Sequence, residues 1–553
     1  MSKLGSFAFV LHTHLPYSRN AGRWPHGEEW LFEAACETYI PLVEMLRSLP
    51  EGLPAGLTMS LTPVLLEQLA SPEVIAGTLD YIDDRTRRAG RDASRFESLG
   101  DPEGAALARF YQDWYDGRGR FLRDVAQGDL VGALRDLESR GLIESISSGA
   151  THGYLPLLSR DSSIYAQVRA GVETHRRHMR TSPDGFWLPE CAYRGADTSA
   201  DPRRPGLEEF LEAAGVSFFF VESHAVEGGS PAIDRRSLPE FYLVHGQGAP
   251  GAPAPVSPTG HTTARPYYVA DSNVVAIARN RRLSMQVWSA DLGYPGDATY
   301  REFHKKDSVS GMQYWAISGP GIDLGDKRRY QPGAARERVE SHARHFAGEV
   351  VAELSRQSEV YGERAFVTAV FDTELFGHWW FEGVDWLAAV LRLLGEDVRV
   401  DVIPVREALR RHPPESAIEL PTSSWGTGGD DRTWNNGLTQ EMWQTLHQCE
   451  VMAERVAARV PMSRRPFVLQ ALRELLLAQS SDWPFLMTTG QAASYGRRRF
   501  ETHVERFRLL ARLAQAEAIQ AAEWEYLRDV QSRDELFAAL DPEWFCERQG
   551  SAR

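Results

Sequence analysis

Ser6-Phe7-Ala8-Phe9-Val10-Leu11-His12-Thr13-His14 decides how the chain is read. An apolar run with no polar alternation predicts a strand covered on both faces, and the polar tip marks its end. Several later segments repeat that form. Residues 57–62 stop at Pro63, residues 142–146 lead into Ser147-Ser148-Gly149, and residues 216–221 end in Glu222-Ser223-His224. Residues 283–287 run into Trp288-Ser289-Ala290-Asp291, and residues 365–371 into Asp372-Thr373-Glu374. Between them, residues 31–49, 105–139 and 336–356 mix charge with recurring apolar positions, which predicts helices. Buried strands alternating with helices make a parallel α/β core. An open sheet would collect functional residues at one switch point, whereas a barrel brings every strand end to one mouth. Polar tips on so many strands favour the barrel.

The remaining chain divides around that core. Residues 191–236, rich in Asp, Ser, Arg and Pro, read as a small inserted domain around the strand at 216–221. Residues 246–266, a Gly/Pro/Ala/Thr stretch, read as a surface loop. The alternation ends after Val402, and residues 469–478, 504–515 and 520–529 have helical character. The expected division is a catalytic barrel over 1–190 and 237–404, the insert at 191–236, and a helical C-terminal domain over 405–553.

At 553 residues, the chain is long enough for two or three domains. A net charge of −15 argues against a polyanion-binding surface, so nucleic acid is not the expected substrate. No secretory pattern and no membrane-length apolar stretch is found. Cys36, Cys191, Cys449 and Cys546 are dispersed without a CxxC pair, which fits a reduced cytoplasmic setting and neither a disulfide scaffold nor a thiolate zinc site.

Chemistry concentrates in a few places. His12 and His14, at i and i+2 of an extended segment, face one side, either toward a ligand and a carboxylate or toward buried backbone groups. Glu190 follows the apolar run Gly185-Phe186-Trp187-Leu188-Pro189, and Asp372 follows Phe371 at a strand end, with Glu374 and His378 close behind. Each acid is read as half of a structural ion pair, as one of two carboxyls acting on a glycosidic bond, or as one of a proton-sharing pair of another hydrolase class. Residues 422–436 combine permissive glycines with Trp425, Trp434, Asp430 and Asp431, a composition suited to sugar binding or to a packed domain junction. The stretch lacks a P-loop's order, and the chain has no GxSxG elbow and no HExxH helix.

Five ordered stretches resemble glycoside hydrolase family 57, and most closely its branching-enzyme members. They are His12-Thr13-His14-Leu15-Pro16-Tyr17, Gly149-Ala150-Thr151-His152-Gly153-Tyr154, and residues 187–193, 371–383 and 424–434. The resemblance implies an α/β fold built on a distorted (β/α)7 barrel, with a small inserted domain and a mostly helical C-terminal domain completing the cleft. It implies Glu190 as nucleophile and Asp372 as general acid/base of a retaining mechanism, and nothing in the sequence requires a metal or organic cofactor. His12, His14, His152, Trp288, Asp291 and His378 would line the α-glucan site, and Trp425, Asp430 and Trp434 would hold the glucan. Transfer to a 6-hydroxyl makes an α-1,6 branch; transfer to a 4-hydroxyl or to water makes a 4-α-glucanotransferase or an α-amylase, and an inactive glucan-binding protein is the alternative outside enzymes. Branching-type relatives carry a tyrosine on a mobile loop by the cleft. Residues 226–236 contain none, which leaves Tyr242 and Tyr267 as candidates.

Overall fold

All nine residues of the first strand, β1 (Gly5–Thr13), are buried, as an apolar run without alternation requires. The computed structural model describes residues 3–23, 25–53, 56–228, 259–288, 293–459 and 461–546. Within them follow β2 (Leu57–Leu61), β3 (Ile143–Ser148), β4 (Gly185–Trp187), β5 (Phe218–Val221), β6 (Tyr267–Val269), β7 (Val275–Ala278), β8 (Phe366–Asp372), β9 (Val400–Val402) and β10 (Ala417–Ile418). Seven of these run parallel in the order β7-β5-β4-β3-β2-β1-β8. The two ends of that row meet: the Asn280 N–H donates to the Thr368 carbonyl at 2.9 Å, and Thr368 Oγ1 donates to the Ala278 carbonyl at 3.0 Å. The sheet is therefore curled into a distorted barrel. Outside the row, β9 pairs with the start of β1, and β6 runs antiparallel to β7 and carries β10.

Two expectations need correction. Residues 283–287 are not a strand, because they lie in the helix Arg281–Trp288 with Leu283, Ser284 and Val287 buried on one face. The barrel strand is the preceding run Val275–Ala278, and a short apolar segment is ambiguous until its neighbour takes the sheet position. Residues 191–236 do not form a separate insert in their described part, since β5 is hydrogen-bonded between β4 and β7. The region after residue 405 is mostly helical, as expected, although β10 still pairs with β6 and the Val405 N–H donates to Thr58 Oγ1 at 3.0 Å beneath the barrel.

Two helical additions shape the mouth. Between β2 and β3 the long helices Pro72–Ser98 and Pro102–Arg120 pack as a hairpin against residues 297–331, tied by Tyr314 to Asp92 at 2.8 Å and Arg95 to Asp307 at 2.8 Å. The C-terminal helices Gln440–Arg459, Arg465–Ala478, Asp482–Thr489, Ala493–Ala514 and Ala521–Arg533 form the second body. A second hydrophobic core joins them to the β3–β5 side of the barrel. Ser480 bridges Gly153, and the Ser481 N–H donates to the His152 carbonyl at 3.0 Å. These bonds bring the helical body to the ends of the strands. Of the loop expected at 246–266, residues 246–258 lie outside the described residues.

Candidate active site

Glu190 sits on the turn after β4 with φ 64°, and its neighbour Cys191 has φ 48°. A left-handed backbone at two consecutive non-glycine residues costs of order 1–3 kcal/mol each and persists only where surrounding contacts over-determine it. Those contacts are present. The Glu190 carbonyl accepts the Trp425 N–H at 3.0 Å, and Tyr193 exchanges backbone bonds with Ser423 at 2.9 and 3.1 Å. The 422–436 loop is thereby pinned across the Glu190 turn. His152, with φ 58°, is a third such residue at the mouth.

The Glu190 carboxylate receives two strong donors. Trp425 Nε1 donates to Oε2 at 2.7 Å and Ser481 Oγ donates to Oε1 at 2.8 Å. Burial pushes this carboxyl up to about 7, a rise the Trp425 and Ser481 hydrogen bonds and His14 restrain while Asp482 adds to it. Asp372 ends β8, directly in register with His12 of β1. Among the described residues it has no hydrogen-bond donor. Burial, then the negative charges of Glu374 and Glu190, hold it well above the usual carboxylate range, opposed only by Arg279. Asp372 keeps some solvent access at the mouth, although protein surrounds it closely. Glu374 accepts from Tyr39 Oη at 2.6 Å and from the His14 N–H at 3.1 Å, and burial takes it to about 7. Arg279 is buried in an ion pair with Glu222 and lies 5.9 Å from the Trp425 ring.

The three histidines form a stack beside Glu190. His14 and His152 are 4.0 Å apart between ring centres, and His12 lies 4.5 Å from Trp187 at 14°. His12 Nε2 meets His152 Nε2 at 2.9 Å, and His152 Nδ1 meets Ser481 Oγ at 2.8 Å. Burial, then the proximity of His14, puts His12 and His152 well below the usual histidine range. For His14, burial acts downward but is outweighed by Asp482, whose Oδ2 lies 3.1 Å from Nε2, and by Glu374 and Glu190, so this imidazole holds its proton more tightly. His14, His152 and Asp482 bring potential ligand atoms within 4.8 Å of one another. Each ring nitrogen there already has a protein partner: Thr62 and Asp482 for His14, His12 and Ser481 for His152.

The structure thus gathers Glu190, Asp372, His12, His14, His152 and Trp425 at one mouth. Other expected contacts fall elsewhere. Trp434 does not offer a platform: it is 1% exposed, lies 4.7 Å from Tyr154, and fills the space above Gly426, where a Cβ would come within 2.4 Å of its ring. Asp430 is engaged with Arg432 at 2.5 Å and shapes the loop. His378 is buried against Phe303 and Trp379, and its N–H donates to Thr38 Oγ1 at 3.0 Å, so it supports the helical turn Ala35–Tyr39 without bonding either acid. Trp288 closes its helix half-buried, and Asp291 lies outside the described residues. Tyr267 belongs to β6 and its Oη accepts the Thr262 N–H at 3.0 Å; Tyr242 lies outside the described residues. Sequence reasoning missed Ser481, Asp482, Ser60 and Arg279. The polar run Gln479-Ser480-Ser481-Asp482 directly after an apolar helix was the available signal for the first two.

Two carboxyl groups in unlike surroundings at the mouth of a parallel barrel are what double-carboxylate cleavage of a glycosidic bond requires, and they define a glycoside-processing class. The chain belongs to Glycosyl hydrolase family 57, which matches residues 8–421, and residues 445–545 match the C-terminal domain of 1,4-alpha-glucan branching enzymes. It is 41% identical over 545 residues to a 1,4-alpha-glucan branching enzyme of Thermococcus kodakarensis, covering 96% of this chain and 77% of that one. The crystal structure of that protein with glucose superposes with a TM-score of 0.87 at 38% identity, covering 99% of this chain and 97% of the other. A branching enzyme from Pyrococcus horikoshii gives 0.86 at 36%, covering 100% and 98%, and the alpha-amylase AmyC of Thermotoga maritima gives 0.80 at 29%, covering 98% and 99%.

Proposed function

We propose that the chain is a 1,4-α-glucan branching enzyme in which Glu190 is the nucleophile and Asp372 the general acid/base. The observation that carries the division of labour is the unlike wiring of the two acids. Glu190 is held by two donors that favour its anion, whereas Asp372 has none and faces negative charge, which keeps a proton on it. In the first step a Glu190 oxygen bonds to the anomeric carbon as the bond to the 4-oxygen breaks, and Asp372 passes its proton to that leaving oxygen. In the second, Asp372 takes the proton of an incoming glucan 6-hydroxyl, whose oxygen displaces Glu190 and leaves an α-1,6 bond. The match at residues 445–545 and the two branching-enzyme relatives support the 6-hydroxyl as acceptor.

Hydrolysis is the second reading, favoured by the resemblance to the Thermotoga amylase. The two readings separate on amylose by counting new branch points against new reducing ends. Asp372→Asn and Glu190→Gln test the roles: each should lower turnover by at least about 10³-fold with folding retained, and turnover unchanged by either substitution overturns that assignment. A reducing, cytoplasmic setting is proposed alongside, supported by four unpaired cysteines of which three are buried. No helix among the described residues is long and apolar enough to cross a membrane.

A further inference from the structure

Ser60 Oγ lies 3.2 Å from His12 Nδ1, His12 Nε2 lies 2.9 Å from His152 Nε2, His152 Nδ1 lies 2.8 Å from Ser481 Oγ, and Ser481 Oγ lies 2.8 Å from Glu190 Oε1. All five residues are buried. A contact between two imidazole nitrogens at hydrogen-bond distance needs one protonated and one bare nitrogen, and a neutral imidazole has one of each. The tautomer of one histidine therefore dictates that of the other, and both are dictated by what lies at the chain's ends. When Glu190 is anionic it can only accept, so Ser481 donates to it. Ser481 then accepts from His152 Nδ1–H, leaving His152 Nε2 bare to accept from His12 Nε2–H, and His12 Nδ1 accepts from Ser60 Oγ–H. Every link is satisfied in that direction.

We propose that Ser481 is a positioning residue for Glu190 and the last link of a one-way chain, Ser60–His12–His152–Ser481, whose direction follows the charge on the nucleophile. Adding a proton at Glu190 Oε1 reverses the chain. Glu190 then donates to Ser481, Ser481 to His152 Nδ1, His152 Nε2–H to His12 Nε2, and His12 Nδ1–H to Ser60 Oγ. The net gain is one proton, passed link by link: Ser481 Oγ gives its proton to Glu190 Oε1, His152 Nδ1 to Ser481, His12 Nε2 to His152 Nε2 and Ser60 Oγ to His12 Nδ1, and a proton from outside the chain restores the Ser60 hydroxyl. In either direction both nitrogens of His12 and His152 are committed to protein partners. These two rings therefore act on the substrate through Glu190, and they do not donate to glucan hydroxyls. Low proton affinity in both histidines is consistent with this, because a doubly protonated ring would leave one link with two donors facing each other. His14 is different: it is paired with Asp482 and lies outside the chain.

The inference rests on the reading of Glu190 as nucleophile, and the test separates the two. Chain-transfer kinetics on amylose across pH would be compared for the native enzyme, Glu190→Gln and Ser481→Ala. Loss of the hydroxyl should lower kcat about 10- to 100-fold, leave KM within about threefold, and move the acidic limb of the profile upward by about one pH unit, since hydrogen bonds to an ion are the strong ones. Independently of any variant, ¹⁵N-histidine NMR of the native enzyme should show His152 carrying its proton on Nδ1 and His12 on Nε2 above the acidic limb. Both should exchange to the opposite tautomer below it. An inactive Glu190→Gln beside a Ser481→Ala enzyme with native kcat and an unmoved limb overturns the chain alone, as do histidine tautomers that ignore pH. An active Glu190→Gln overturns the nucleophile assignment first.

Discussion

A single indole N–H separates Trp425 from being one more aromatic wall. Its Nε1 reaches Glu190 Oε2 at 2.7 Å while its backbone N–H holds the Glu190 carbonyl, so it fixes Glu190 from both sides. Trp425→Phe keeps the ring and removes one charge-assisted bond; kcat on amylose should fall about 10- to 100-fold with binding of glucan little changed. The pH dependence of stability gives a second residue-scale prediction. Burial raises the Glu190 carboxyl to about 7 in the folded protein, so the folded state binds more protons than the unfolded one between its ordinary pKa and about 7, and stability falls as pH rises through that window. Glu190→Gln removes the cost of the buried anion. Its melting temperature should match that of the native enzyme near pH 4 and exceed it increasingly up to pH 8, by the equivalent of at most about 3 kcal/mol. A gap of the opposite sign would show that Glu190 is stabilised, not strained, as an anion.

Elements place these residues, and here the sequence was legible in part. Runs such as residues 6–11, 57–62 and 365–371 announced buried strands because nothing in them alternates, and their polar tips did mark the mouth. The run at 283–287 misled because four or five apolar residues fit a helix face as well as a strand, and only the sheet position taken by Val275–Ala278 decides. Trp434 misled for a related reason: a tryptophan in a Gly-rich polar stretch looks exposed, yet the glycines there allow the loop to close over the ring. Ser60 carries no signal in the sequence, and the polar run at 479–482 marks Ser481 without its partner, because the bond to Glu190 spans the barrel and the helical body. The helical segment between β1 and β2, Glu28–Ala34 continuing through Ala35–Tyr39 into Ile40–Ser48, holds a similar long-range contact. Its wide turn Ala35–Tyr39 supplies Tyr39 to Glu374 and carries Glu37, which pairs with Arg301 at 2.7 Å with both side chains at most 2% exposed. Removing one partner strands a buried charge, so Glu37→Leu should cost about 3–5 kcal/mol in urea unfolding, and adding Arg301→Met should recover part of that loss.

At the scale of the whole molecule, the site is a junction. The barrel supplies both acids and the histidine stack, the 422–436 loop supplies the indole on one carboxylate oxygen, and the C-terminal helices supply the serine on the other. The C-terminal body thus completes the surroundings of Glu190, which fits a catalyst whose acceptor choice depends on how the mouth is closed. Linkage analysis after incubation of the pure enzyme with amylose tests the account most directly. Proton NMR should show α-1,6 signals growing at the expense of α-1,4 signals, with far fewer new reducing ends than new branches. Reducing ends that accumulate without new α-1,6 linkages would contradict it.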